Sequence, residues 1–205
     1  MEAWSEDTEL RHCRLMIADC RLRFQIGNWQ SEIGNQLKTT GTGIIVMPMR
    51  IGTSMPNLDG ATEWFNGTQA HAEAEAVGHP TLVHFWSVSC GICKDNLPRV
   101  AQWRDEKKEL GLRVIAVHMP RYEADTDVET VRDLISQYNL TEPVAVDNEH
   151  KLRDAFQNDQ GYVPAYYLFD AEGKLKSFAA GERGLDMLKS AIERVLASEE
   201  SAVAS

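Results

Sequence analysis

The sequence predicts an α/β domain: a central mixed β-sheet with helices on both faces. Three observations predict it. Short apolar, β-branched or aromatic runs of strand length stand at 81–87, 114–118, 143–146 and 165–169. Segments with helical apolar spacing separate them, which is the pattern of parallel strands joined by crossover helices. Near the end, two apolar runs flank Asp170-Ala171-Glu172-Gly173, a turn signal that closes the sheet with an antiparallel hairpin.

Taken in order, Ala61 to Phe65 reads as a short strand ended by Asn66-Gly67. His71 to Val77, rich in Ala and Glu, forms a helical turn that Gly78-His79-Pro80 stops. The strand 81–87 is bulky at every position, the mark of a strand buried on both faces. A helix follows from Cys90 or Gly91 to about Leu110, where Gly111 ends it. After the strand 114–118, Val128, Val131, Leu134, Ile135 and Tyr138 repeat at helical spacing, with Asp125 or Thr126 as the N-cap. The strand 143–146 precedes a short helix marked by Leu152, Ala155 and Phe156. The hairpin 165–169/175–178 leads to an amphipathic final helix through Leu185, Leu188, Ile192, Val195 and Leu196. The order is β-α-β-α-β-α-β-β-α. Three segments result: an N-terminal extension over 1–49, a domain over 50–198, and a tail over 199–205 expected to be disordered.

Composition narrows the function. With 205 residues, 43% hydrophobic and 25% charged, the chain is an ordinary globular one with room for one well-packed domain and an extension. A formal net charge of −10 argues against nucleic acid and anionic membrane as partners, because both select basic surfaces. No run of about 18 apolar residues exists to span a bilayer. Met1-Glu2-Ala3-Trp4-Ser5-Glu6-Asp7 is acidic where a signal peptide is basic, so the expectation is a cytoplasmic protein. Residues 1–46 lack a sustained period apart from a weak helix over 11–24. They read either as a poorly ordered extension or as an over-long start, with translation beginning at Met47 or Met49.

Cys90-Gly91-Ile92-Cys93 carries the chemistry. The first cysteine sits where a strand ends and a helix begins, and there unpaired backbone N–H groups and the helix dipole favour a thiolate. Two cysteines three positions apart on one helical turn close a disulfide with little backbone movement. Cys90 is the candidate nucleophile, expected at the surface; Cys93, one turn in and more buried, is the resolving thiol. A zinc site built from all four cysteines would need two closely spaced pairs, and Cys13 and Cys20 do not supply the second. They read as unrelated to the chemistry.

Phe85-Trp86-Ser87-Val88-Ser89-Cys90-Gly91-Ile92-Cys93-Lys94 resembles the Phe-Trp-Ala-x-x-Cys-Gly-Pro-Cys-Lys segment of thioredoxins. Pro98, five residues past the second cysteine, matches the proline that kinks the family's first helix. Gly161-Tyr162-Val163-Pro164-Ala165 falls where the family keeps a cis-proline loop facing the sulfurs. Val117-His118-Met119-Pro120, Val144-Ala145-Val146-Asp147 and 166–174 are similar to the TlpA-like, or redoxin, branch, which is related to AhpC/TSA proteins. The resemblance covers about 50–198 and implies a thioredoxin fold and thiol–disulfide exchange with protein or small-molecule disulfides. It also implies a reductase as electron donor and no bound cofactor or metal. It further implies that Pro164 is cis, that Val163 offers its backbone to substrate as an added strand, and that Trp86 packs under the motif. Gly91 and Ile92 tune the poise and flank the substrate; Ile92 replaces the family's usual proline.

His84 stands where thioredoxins keep a buried Asp and TlpA-like proteins an Asn. Two readings stay open: a relay for the proton Cys93 must lose, since an unperturbed imidazole titrates near pH 6.5, or an inert neutral core histidine. Asn96 replaces a Glu that titrates in many TlpA-like reductases, and cannot take its role. His118, at the carboxyl end of a strand on the Cys90 edge, is a candidate substrate contact or a plain loop residue. Two other functions compete. A thiol peroxidase shares the fold, but the Pro-x-x-x-Thr-x-x-Cys phrase is missing before Cys90. A binding module without turnover would have no need of both cysteines and Pro164.

Overall fold

A computed structural model describes residues 49–203. The expectations for 1–48, including the weak helix, Cys13 and Cys20, lie outside the described residues. The strands are β1 (Glu63–Phe65), β2 (Thr81–Trp86), β3 (Arg113–His118), β4 (Val144–Val146), β5 (Ala165–Phe169) and β6 (Leu175–Ala180). The helices are α1 (Gln69–Ala76), α2 (Gly91–Lys107), α3 (Val128–Gln137), α4 (Lys151–Ala155) and α5 (Gly184–Val203). The sheet order is β1-β4-β3-β2-β5-β6. β2, β3 and β4 are parallel, while β1, β5 and β6 each run antiparallel to their neighbours, so the sheet is mixed.

Every residue of β2 is buried, which follows from its central place and explains the run Thr81-Leu82-Val83-His84-Phe85-Trp86. Because side chains alternate along a strand, β2 divides its residues between two layers. Val83 and Phe85 point to a core shared with Ala72 and Ala76 of α1 and Leu152 of α4. Leu82 and Trp86 point to the opposite layer, which packs against α2, α3 and α5. Helices thus cover both faces.

Local signals set most boundaries. Gly111 takes φ 97°, and the Leu112 N–H bonds back to the Lys107 carbonyl at 3.1 Å, closing the end of α2 as a glycine-terminated turn. Pro98 lies within α2. The N-cap of α3 is Asp127, which accepts from the Glu129 N–H at 3.3 Å and the Thr130 hydroxyl at 2.6 Å. Asp125 and Thr126, expected as caps, belong to a preceding 3-10 turn, Glu123–Thr126, and the Asp125 side chain is turned to other partners. α5 runs to Val203, past Glu199, where the sequence reading ends the helix.

Candidate functional site

Cys90 is the N-cap of α2, with extended backbone at φ −91° and ψ 104°. Its Sγ accepts the Cys93 N–H at 3.1 Å, and the two sulfurs are joined as a disulfide with Cα atoms 5.2 Å apart. An N–H aimed at sulfur from the first turn of a helix stabilises negative charge there once the disulfide opens. Cys90 is 3% exposed and Cys93 1%, so the expected surface position of Cys90 is not what the fold provides. Trp86, Val88 and Leu97 pack with both cysteines, and the Val163 carbonyl oxygen stands 3.7 Å from the Cys90 sulfur. Gly91 and Ile92 are the exposed part of the motif. Val163–Pro164 is a cis peptide bond.

The loop that delivers Cys90 is fastened from below. Asp125 is buried, and one oxygen, Oδ2, accepts from Ser89 Oγ at 2.7 Å, Ser87 Oγ at 2.8 Å, Arg121 N at 2.9 Å and Tyr122 N at 3.3 Å. Burial works against its charge, but these donors outweigh it and hold the carboxyl below the ordinary range. Between the two serines, the Val88 N–H donates to His118 Nε2 at 3.4 Å, which leaves the His118 proton on Nδ1. His118 is fully buried against the Trp86 ring, centroids 5.2 Å apart. Burial pushes its pKa down to about 4, partly opposed by the Asp125 charge, so the imidazole is neutral at pH 7. The Trp86 Nε1 and His118 Nδ1 are buried without partners among the described residues.

His84 sits in β2 beside Ala116 and Tyr166 in register. Its side chain is 2% exposed, and its Nε2 lies 3.3 Å from Glu142 Oε1. The other Glu142 oxygen accepts from Arg104 Nη1 at 2.6 Å. Burial again opposes the carboxylate, and the bonds from His84 and Arg104 prevail, so Glu142 stays below its ordinary range. Glu142 and Arg104 line a small polar cavity of about 140 Å³ that also contains His71, Glu75 and Lys108. Asn96 donates to the Tyr166 hydroxyl at 3.0 Å. Burial raises that hydroxyl to about 12 despite this bond, so it does not titrate near neutrality.

The structure therefore gathers Cys90, Cys93, Trp86 and Val163 at one end of α2, with Gly91 and Ile92 exposed at their rim and Pro164 buried next to Val163. It places His84 in a buried network with Glu142 and Arg104 that reaches the other end of that helix. Asp125 and Glu142 were missed in the sequence. Asp125 looked like a helix cap, and Glu142, in a loop before a strand, carries no local signal of its burial. Among the described residues, no group of three His, Cys, Asp or Glu side chains could hold a metal ion. No described helix is long and apolar enough to cross a membrane.

The chain is similar to several known proteins. The chain is 43% identical over 153 residues to the thiol-disulfide oxidoreductase YkuV of Bacillus subtilis (strain 168), covering 74% of this chain and 100% of that protein. It is 25% identical over 147 residues to the thiol-disulfide oxidoreductase ResA of Bacillus anthracis, covering 72% and 79%. Among solved structures, an oxidised thioredoxin-like protein superposes with a TM-score of 0.66 at 43% identity, over 73% of this chain and 99% of that one. The fold is that of thioredoxin. Residues 51–178, which hold the CxxC turn, the cis-proline loop and all of the sheet but the last two residues of β6, match the AhpC/TSA family model, and the chain belongs to that family.

Proposed function

We propose that Cys90 attacks a substrate disulfide and that Cys93 resolves the resulting mixed disulfide. The chain is a thiol–disulfide oxidoreductase. One observation carries the assignment of roles: Cys90, not Cys93, caps α2 and receives a helix N–H on its sulfur. The Cys90 thiolate bonds to one substrate sulfur and expels the other as thiolate. Cys93 then loses its proton, bonds to Cys90 and releases the second substrate thiol. Two electrons pass to substrate, and the cysteines are left as the disulfide. A reductase would restore the dithiol, and the Val163 carbonyl beside Cys90 is placed to receive a substrate backbone N–H. Cys90→Ser should abolish insulin reduction, whereas Cys93→Ser should accumulate mixed disulfides. Stable adducts through Cys93 in Cys90→Ser would reverse the roles. Peroxide consumption faster than insulin reduction would make the protein a peroxidase instead.

For His84 we propose a part in removing the Cys93 proton. In support, it is buried on the α2 side of β2, and Glu142 links it to the polar cavity at the far end of α2. His84→Asn should slow resolution by about 10²–10⁴ and leave the first attack nearly intact, because the helix end activates Cys90 independently. Stopped-flow traces of both steps decide it; unchanged resolution in a folded variant would leave His84 a core residue. We also place the protein in the cytoplasm, where a reducing poise would keep the pair as dithiol at rest. Alkylation trapping in fractionated cells tests this, and a resting disulfide would overturn it.

A further inference from the structure

The chain is acidic, with a net charge of −10, yet one cavity on the sheet edge that carries Cys90 is basic. It has a volume of about 310 Å³ and is lined by Met119, Pro120, Arg121, Tyr122, His150, Arg153 and Gly161, with no carboxylate among them. Its place is set by the fold. Met119 directly follows β3 on the edge where Cys90 follows β2, and the Met119 N–H bonds to the Trp86 carbonyl at 2.8 Å. Gly161 starts the loop whose Val163 oxygen stands 3.7 Å from the Cys90 sulfur.

Its charges are open to a ligand. Arg121 lies over the Tyr122 ring at 5.4 Å and makes no ion pair among the described residues. Arg153 uses Nε and Nη2 on Asp154, which leaves Nη1 unpaired in that contact. Two buried acids stand close in the chain and have donors of their own: Asp125 takes four on Oδ2, and Asp147, whose carboxyl His150 and Arg153 also attract, takes the N–H groups of Leu152 and Arg153. His150 Nδ1 is buried and has no partner among the described residues. Two guanidinium groups and an imidazole around a cavity of this size suit carboxylate or phosphate oxygens.

We propose that this cavity receives the anionic half of a small-molecule disulfide, one bearing carboxylate or phosphate groups, while its sulfur meets Cys90. The proposal rests on the exchange reaction above and names a substrate class for it. Cys90 thiolate bonds to the near sulfur, the substrate S–S bond breaks, and the departing thiolate takes a proton from solvent. Cys93 then gives up its proton, closes on Cys90, and releases the half held by the cavity as a thiolate.

Single turnover of the prereduced protein with three disulfides of similar size tests this without an electron donor: 3,3′-dithiodipropionate, bis(2-hydroxyethyl) disulfide and cystamine carry carboxylates, hydroxyls and ammonium groups. The anionic compound should react fastest at low salt in spite of the protein's net charge, by about fivefold over the neutral one. In Arg121→Gln/Arg153→Gln that ratio should fall to about one. The ratio cancels any general loss of activity, and Arg121→Gln alone, an exposed change, gives the same sign if the double variant does not fold. Equal rates in the wild-type protein, or a ratio kept in the variants, would overturn the proposal. Reduction of insulin but of none of the three would also overturn it while leaving the exchange reaction standing. Failure to reduce insulin as well would sink both.

Discussion

The two faces of β2 differ in kind. Val83 and Phe85 look into a layer held by aromatic edges: Phe85 meets Phe156 at 5.3 Å and Tyr167 at 5.7 Å, and Phe156 also meets Tyr167 and Phe169. His84 and Trp86 look into the layer that holds the disulfide, His118 and the Glu142–Arg104 pair. One strand thus separates packing from chemistry by its alternation alone. The dry face should be where stability is lost and activity is not. Phe156→Ala, which empties the centre of that aromatic cluster, should cost about 3–5 kcal/mol. Denaturant titration measures the loss, and the protein that remains folded should exchange disulfides at the wild-type rate. A rate that falls with stability intact would break the separation.

On the other face stability should depend on pH. The His118 pKa is lowered in the fold to about 4, from an ordinary value near 6.5. The unfolded chain therefore binds more protons between these values. The contribution is full above about pH 6.5 and drains away as pH falls toward 4. At pH 5 the loss should be about 2 kcal/mol. Glu142 and Asp125 are both shifted below the ordinary carboxylate range, so they add their losses lower still. Equilibrium unfolding at pH 7 and pH 5 should show the loss in the wild-type protein and its absence in His118→Asn. The same pH slope in both would mean that the polar face is not what titrates.

The two faces were also unequally legible in the sequence. Strand and helix order, the hairpin and the CxxC turn followed from local runs, turn residues and motif spacing, because each is decided within a few neighbours in the chain; the cis-proline followed from the family resemblance. The polar partners were not. Glu142 lies 58 residues from His84 and Asp125 lies 38 from Ser87, and nothing near either says which groups the sheet brings against it. Asp125 shows the cost of a local rule. An acid before a helical run is a good N-cap, yet Asp127 takes that place because the 3-10 turn spends Asp125 on the Cys90 loop. Cys90 was misplaced for the same reason: helix ends are usually exposed, and here Trp86, Val88 and Val163 from a distant loop pack over this one.

The smallest expected effect tests how closely the polar face is tied to the sulfur chemistry. Asp125 Oδ2 holds four donors, two of them the hydroxyls of Ser87 and Ser89 in the turn that leads to Cys90. Asp125→Asn keeps the shape but removes the charge and weakens these bonds, which should cost about 1–2 kcal/mol of stability. The charge matters separately. A carboxylate anchored to the residue next to Cys90 repels a thiolate there, so its removal should lower the Cys90 thiol pKa by about 0.5 unit. That shift stabilises the reduced form by about 0.7 kcal/mol, which raises the midpoint potential by roughly 15 mV for a two-electron couple. Thiolate absorbance against pH and equilibration with a redox buffer measure the two quantities. Asp125→Ala gives the contrast: it also removes the charge but leaves the serines unheld, so it should lose more stability for the same change in thiol pKa. If Asp125→Asn moved stability but neither the thiol pKa nor the potential, Asp125 would be a fastening of the loop alone. The redox poise would then belong to the end of α2 and to the Gly91-Ile92 pair within it.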